Sequence, residues 1–176
     1  MRRALSPVPA SHPTRTRRDP GHRSERGLKV FVFVLVLTLT LPALAAADDI
    51  CGYTPKGRVT LTRDGHPVAT FRVGLAETKT QYRQGLMHCS TLEQGSGLLF
   101  IYPAPARRVF WMKNTPLELA IIFAGADGRI EAIAKGVPAS TRLIPSHDAI
   151  QYVIEVNYDE AGSLQVGDRI TLRLAP

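Results

Sequence analysis

The sequence is poor in the groups from which most catalytic and metal centres are built. It has 2 cysteines, 5 histidines and 1 tryptophan in 176 residues. No Cys-x-x-Cys or His-x-x-x-His spacing occurs, which removes the compact zinc signatures. No metal is expected; the alternative is a copper or zinc ion gathered by His66, His88, His147 and the two cysteines from distant loops. Ser146, His147 and Asp148 spell a triad in letters, but three consecutive residues cannot converge on one reacting atom. Ser96 sits in QGSGL, which lacks the G-x-S-x-G pattern of a nucleophile elbow. There is no phosphate-binding glycine loop, and no cofactor is expected. The apolar run 30–41 (VFVFVLVLTLTL) falls short of the ~20 residues a spanning helix needs.

That run has a context. A basic segment, 1–29, precedes it, and Pro42 and the alanine-rich 43–47 follow. Basic, apolar, small is the order of a secretory signal peptide, with Ala45, Ala46 and Ala47 as the cleavage site before Asp48. An uncleaved N-terminal anchor is the alternative. Cys51 follows Asp49 and Ile50, not the small residue that lipoprotein processing requires. The leader also distorts the charge. Net charge is +7 overall, but residues 1–47 hold 8 of 22 Lys and Arg and 2 of 15 Asp and Glu. Residues 48–176 therefore carry 14 and 13, so nucleic acid is not an expected partner. The expected organisation is a signal peptide over 1–47, a linker over 48–57 and one β-rich domain over 58–176, exported to the periplasm or beyond. Contact with a membrane is expected only through the signal segment, and the domain is expected to be a monomer.

After the leader, short alternating segments recur between turn residues. Residues 59–62 and 68–73 flank Asp64 and Gly65, a strong hairpin signal. Thr78 can cap a short helix to 84, with Gly85 ending it. Strands are expected at 98–102, 117–123, 130–135, 149–156 and 169–174, with Pro103 and Pro105 breaking the first of these. A helical turn is expected over 158–163. No helix is long enough for a parallel crossover, so the sheet should be largely antiparallel. The fold class is mainly β: a compact antiparallel β-sandwich or partly open, jelly-roll-like barrel with one or two short helices.

The stretch 110–115 (FWMKNT) is the most distinctive in the chain. Alternation through Val109, Trp111 and Lys113 breaks at Asn114, Thr115 and Pro116, which reads as a hairpin joining two strands. In one reading Trp111 and Met112 simply fill a core. In the other, Lys113 supplies a cation and Asn114 and Thr115 directional hydrogen bonds at the end of a rigid scaffold. Arg83 precedes Gly85 and Leu86 by one turn, and Glu155 stands between Ile154 and Val156 on the opposite face. These charges are either a structural Arg83–Glu155 ion pair or parts of one polar pocket. The candidate ligand-binding set is Arg83, Trp111, Lys113, Asn114, Thr115 and Glu155.

Arg83-x-Gly85-Leu86-Met87, the GLLF at 97–100, FWMKNT at 110–115, Asp127-Gly128, YVIEV at 152–156 and Gly167-Asp168 follow one another in this order. Over roughly 68–172 the chain thereby resembles the family called domain of unknown function 192. The resemblance implies a compact, mainly antiparallel β fold, and no established activity, cofactor or catalytic residue. The chain departs from the family pattern at Cys89, where an Arg is usual, and at Ala120, where Asp or Ser is usual. An even cysteine count in an exported chain, with Cys89 at an unusual place, predicts a Cys51–Cys89 disulfide; two free thiols are the alternative. The expected function is non-enzymatic binding of a small molecule or envelope component. The alternatives are an enzyme acting on an envelope sugar or peptide, with Lys113 and Glu155 in proton transfer, and a structural partner in an envelope complex.

Overall fold

The structure, a computed structural model, describes residues 49–175. The expected leader lies outside them. The strands are β1 (Pro55–Arg63), β2 (His66–Ala76), β3 (Ser96–Ala106), β4 (Val109–Phe110), β5 (Leu119–Ala124), β6 (Ile130–Gly136), β7 (Ile144–Pro145), β8 (Ile150–Asn157) and β9 (Arg169–Leu174). A helix α1 (Lys79–Gln84) and a 3-10 turn at Tyr158–Ala161 complete the elements. Seven strands form one open sheet in the order β6-β5-β8-β3-β2-β1-β9, and β4 pairs with β7 apart from it. The fold is β-rich and partly open, as expected. Where Asp64 and Gly65 signalled a hairpin, both have positive φ, 49° and 80°, and β1 and β2 pair across them.

Three local expectations are corrected. The sheet is largely antiparallel, as expected, but it holds one parallel pair, β2 and β3, against the expectation that no parallel crossover could form. A long helix is not needed for that crossover; six helical residues and the loop after them span 77–95. Pro103 and Pro105 do not end β3, which runs on to Ala106; they coincide with the lapse in its ladder to β8 between Ile101 and Ala106. And the stretch 110–115 is not a hairpin between neighbouring strands. Phe110 pairs with Ile144 of β7, while β5 pairs with β6 and β8. The turn between is held by Thr115 N–H donating to Met112 O and by Ala139 N–H donating to Thr115 O.

Both faces of the central strands are covered, which explains why all six residues of β5 are buried. On one face Leu98, Phe100, Ile121, Phe123 and Val153 pack under Leu86, Phe110 and Met112. On the other, Leu99, Ile122, Ile154 and Val156 meet Val59, Leu61, Phe71 and Val73, so the sheet curls until β1 and β2 lie over β5 and β8. The first face positions the site. Helix α1 is tied down to it by Tyr82, which stacks 4.6 Å from the Tyr102 ring and donates its hydroxyl proton to Ile101 O. Thr78 and Gln81 form a reciprocal capping box at the start of α1.

The stretch assigned as a linker carries two buried side chains, Ile50 and Tyr53, and the beginning of β1. Cys51 and Cys89 form a disulfide, with Cα atoms 5.4 Å apart. A disulfide suits an oxidising compartment rather than the cytoplasm. Among the described residues, no helix is long and apolar enough to cross a membrane.

Candidate functional site

A cleft of about 570 Å³ opens between α1, the turn after it, β3 and the 110–115 stretch, and Arg83, Trp111, Lys113, Asn114, Thr115 and Glu155 all line it. Each arrives by a different local logic. Glu155 stands on β8 opposite Leu98 of β3 and Ile121 of β5, so strand pleating aims it at the same face as those apolar side chains. Arg83 is exposed in the last turn of α1. Asn114 has a positive φ of 58°, which lets the chain turn between Lys113 and Thr115. Its carbonyl accepts from His88 N–H at 2.8 Å, so the two rims of the cleft are joined by a backbone bond. Thr115 is buried, its hydroxyl turned back to Lys113 O at 3.4 Å, so it shapes the turn more than it offers a group to solvent. Trp111 is 42% exposed, with the Lys113 ammonium 5.2 Å from its ring centre.

Glu155 is the chemically unusual member. It is 5% exposed, and its Oε2 has no hydrogen-bond partner among the described residues. The structural ion pair with Arg83 is not formed; no cation among the described residues bridges Glu155. Burial therefore pushes its carboxyl up to about 8, against a smaller opposing effect of the Leu86 backbone N–H. At neutral pH the group is mostly a neutral acid, able to donate and to accept. Gly85 roofs it. A Cβ there would lie 3.4 Å from Glu155 Oε2 and 3.5 Å from Phe100 Cζ, and φ is +49°. Gly97 is similarly fixed, since a Cβ would stand 2.7 Å from Glu155 O.

The sequence reading missed the tyrosines around this carboxyl. Tyr53 donates to Gly85 O at 3.1 Å, satisfying a carbonyl beyond the helix end. Its pKa is pushed up to about 12, by burial first and by the charge of Glu155 second. Tyr102 is also raised to about 12 by burial, with Arg108, whose guanidinium lies 4.0 Å over its ring, pulling the other way. No hydrogen bond of the Tyr102 hydroxyl is made among the described residues. Pleating could have flagged Tyr102, because residues 98, 100 and 102 share the face on which Glu155 opposes Leu98. Nothing local announces Tyr53, which comes from a stretch without periodicity.

The other sequence candidates resolve into structure. Ser146 is buried, with its hydroxyl donating to Asp148 O at 2.7 Å and accepting from Arg108 N–H at 3.0 Å, while His147 takes a positive φ of 61°. The trio is a turn. Among the described residues, no group of three or more His, Cys, Asp or Glu is placed to hold a metal.

Two solved structures share the fold. One, from Sinorhizobium meliloti 1021, is described as a "putative transcription regulator"; it is 34% identical, with a TM-score of 0.64, over 68% of this chain and 95% of that one. The other is a protein of unknown function from Novosphingobium aromaticivorans DSM 12444, 32% identical, with a TM-score of 0.61, over 65% of this chain and 83% of that one. No curated protein matches. Residues 59–172 match the DUF192 family, described as "Uncharacterized ACR", and the chain belongs to that family.

Proposed function

We propose that this is an exported binding domain whose cleft between α1 and the 110–115 turn takes a small molecule. The observation that carries the reading is the buried, unpartnered Oε2 of Glu155 at the cleft. A buried polar atom left without a partner costs roughly 1–3 kcal/mol, and a ligand that supplies the missing bond recovers that cost. The volume of about 570 Å³ lies in the range of small-molecule sites. Export is supported by the disulfide and by the basic–apolar–small order of residues 1–47. Mass spectrometry of material from the envelope should find a chain beginning at Asp48; an intact N-terminus would overturn cleavage, and a purely cytoplasmic product would overturn export. The near balance of charge over 48–176 gives nucleic acid no net attraction, so the description of the Sinorhizobium protein is not carried over.

The test of the cleft is a thermal-shift screen, since a ligand that binds the folded state raises Tm. Hits should lose their effect in Lys113→Ala, which should itself fold within about 0.5 kcal/mol of the parent because the side chain is exposed. Hits that act equally on both proteins would remove the cleft reading. A second reading has one observation in its favour: a carboxyl raised to about 8 in an open cleft is suited to proton transfer near neutral pH. It assigns Glu155 as acid–base group on an envelope sugar or peptide, with Lys113 at the rim.

A further inference from the structure

The charge pattern of the cleft is one-sided. Arg83 and Lys113 line it, both exposed and both without an ion-pair partner among the described residues. Glu155 is the single acid in its lining, and burial keeps it largely protonated at neutral pH. The rim is thus cationic while the rest of 48–176 is nearly balanced. Beside those cations stands Trp111, a large ring left 42% exposed with the Lys113 ammonium 5.2 Å from its centre. Deeper in, Glu155 Oε2 is buried without a partner, and the Tyr102 hydroxyl makes no hydrogen bond among the described residues. Both can donate and accept, which is the hydrogen-bonding character of an alcohol.

Resting on the binding reading above, we propose that the cleft recognises a pyranose sugar carrying one anionic group, a carboxylate or a phosphate. The anion meets Arg83 and Lys113. The ring face lies on Trp111, whose flat surface suits the C–H face of a sugar. A ring hydroxyl reaches the buried carboxyl of Glu155 and satisfies its free oxygen. An aromatic acid would use the cations and the ring but leave Glu155 and Tyr102 unpartnered, and a neutral sugar would leave the two cations without a charge to meet. Each substitution forfeits one half of the site.

The protein purified after expression of the full chain should be titrated calorimetrically with four probes: glucuronate, glucose 6-phosphate, glucose and benzoate. Glucuronate or glucose 6-phosphate should bind at least tenfold more tightly than glucose and than benzoate. Lys113→Ala and Arg83→Ala should each weaken the anionic sugar about tenfold and glucose by clearly less, so that the preference for the anionic sugar falls. Glu155→Gln keeps shape but alters the donor, and should weaken both sugars without affecting benzoate. A further comparison of galacturonate with an oligogalacturonate separates sources within this class: tighter binding of the oligomer marks a polymer, equal binding a free sugar, and both support the class. Benzoate binding as tightly as glucuronate would overturn the sugar assignment while leaving a ligand cleft in place. Binding of glucose equal to that of glucuronate would overturn the role of the cations. If none of the probes binds but the thermal-shift screen finds other cleft ligands, the sugar is wrong and the cleft stands; if neither experiment finds a ligand, both readings fall.

Discussion

A carboxyl that stays buried without a partner must be expensive in its charged form, and Glu155 makes that cost measurable. Its folded pKa of about 8 lies above the ordinary 4.5. The folded state therefore binds more protons than the unfolded state between those values, so stability falls as pH rises from 4.5 and the loss is complete above 8. At 1.36 kcal/mol per pH unit the full loss is about 5 kcal/mol. The titratable and charged groups that share the cleft with this carboxyl are Tyr82 and Arg83 from α1, Tyr102 from β3, and Lys113, and Tyr53 from the N-terminal segment feels its charge. Tyr53 and Tyr102 titrate only near 12, and Arg83 and Lys113 are exposed cations. The part of the pH slope that Glu155→Gln removes is thus assigned to Glu155. Denaturant melts at pH 5, 7 and 9 should show the parent weakening steadily and Glu155→Gln changing far less. Equal slopes in the two proteins would mean that the carboxyl is hydrated. Gly85 answers to the same neighbour: at φ +49° and ψ −134° an alanine is strained by about 1–3 kcal/mol. Gly85→Ala should lose that amount in melts at pH 5, where the carboxyl is neutral.

At the scale of elements, the sequence was legible wherever one rule governed. Thr78 and Gly85 bracket α1, Asp64 and Gly65 turn the first hairpin, and residues 169–174 form β9 as their pattern requires. It was illegible where partners come from afar. The alternation of 109–113 puts Phe110 and Met112 on one face and Trp111 and Lys113 on the other; the structure buries the first pair and leaves Trp111 exposed, against the reading in which Trp111 fills a core, and alternation cannot say that Phe110 pairs with Ile144. The candidate site was legible as residue types, because a break in apolar periodicity stands out. The burial of Glu155 was not, since alternation gives opposite faces without saying that both are covered. The disulfide was legible from an even cysteine count together with the expected leader, and its work is local. It joins the segment carrying Ile50 and Tyr53 to the loop that also holds Leu86. With the cysteines 38 positions apart in sequence, the bond is worth about 4 kcal/mol in the chain-entropy model. Cys51→Ser with Cys89→Ser should lower stability by that order. Proteolysis near residues 49–54 should also accelerate, because Tyr53 then holds the helix end without covalent support. Unchanged melts would place the bond at a site that the fold does not need.

The whole sheet is open, but its outer strands are brought together at one end, and a single aspartate organises that corner. Arg129 and Arg169 form a bridge between the start of β6 and β9, extended by Ile130 N–H to Asp168 O at 2.8 Å and Ile170 N–H to Gly128 O at 2.8 Å. Asp168 is 2% exposed beneath it. Its two oxygens accept from Arg63 Nε and Nη2 at 2.8 and 2.9 Å, and Gln165 N–H adds a third bond at 2.9 Å. The Arg63 guanidinium beside it holds the carboxyl below its ordinary 3.8, so the stability it contributes is present above that value and is lost only as pH falls through the lower folded one. The loss expected for Asp168→Ala is about 2 kcal/mol, the order for hydrogen bonds to a charged group, moderated because Arg63 remains partly exposed and can be rehydrated. Arg63→Ala should lose at least as much, because it leaves the buried Asp168 carboxylate without its cation, and the double variant should lose little more than Asp168→Ala alone, since both remove the same bonds. Hydrogen exchange localises the effect. The amides of Ile130 and Ile170 should lose protection first in Asp168→Ala, while those of β3 and β8 follow only the global change. Additive losses in the double variant, or uniform loss of protection across the sheet, would show that the corner closes without help from the aspartate.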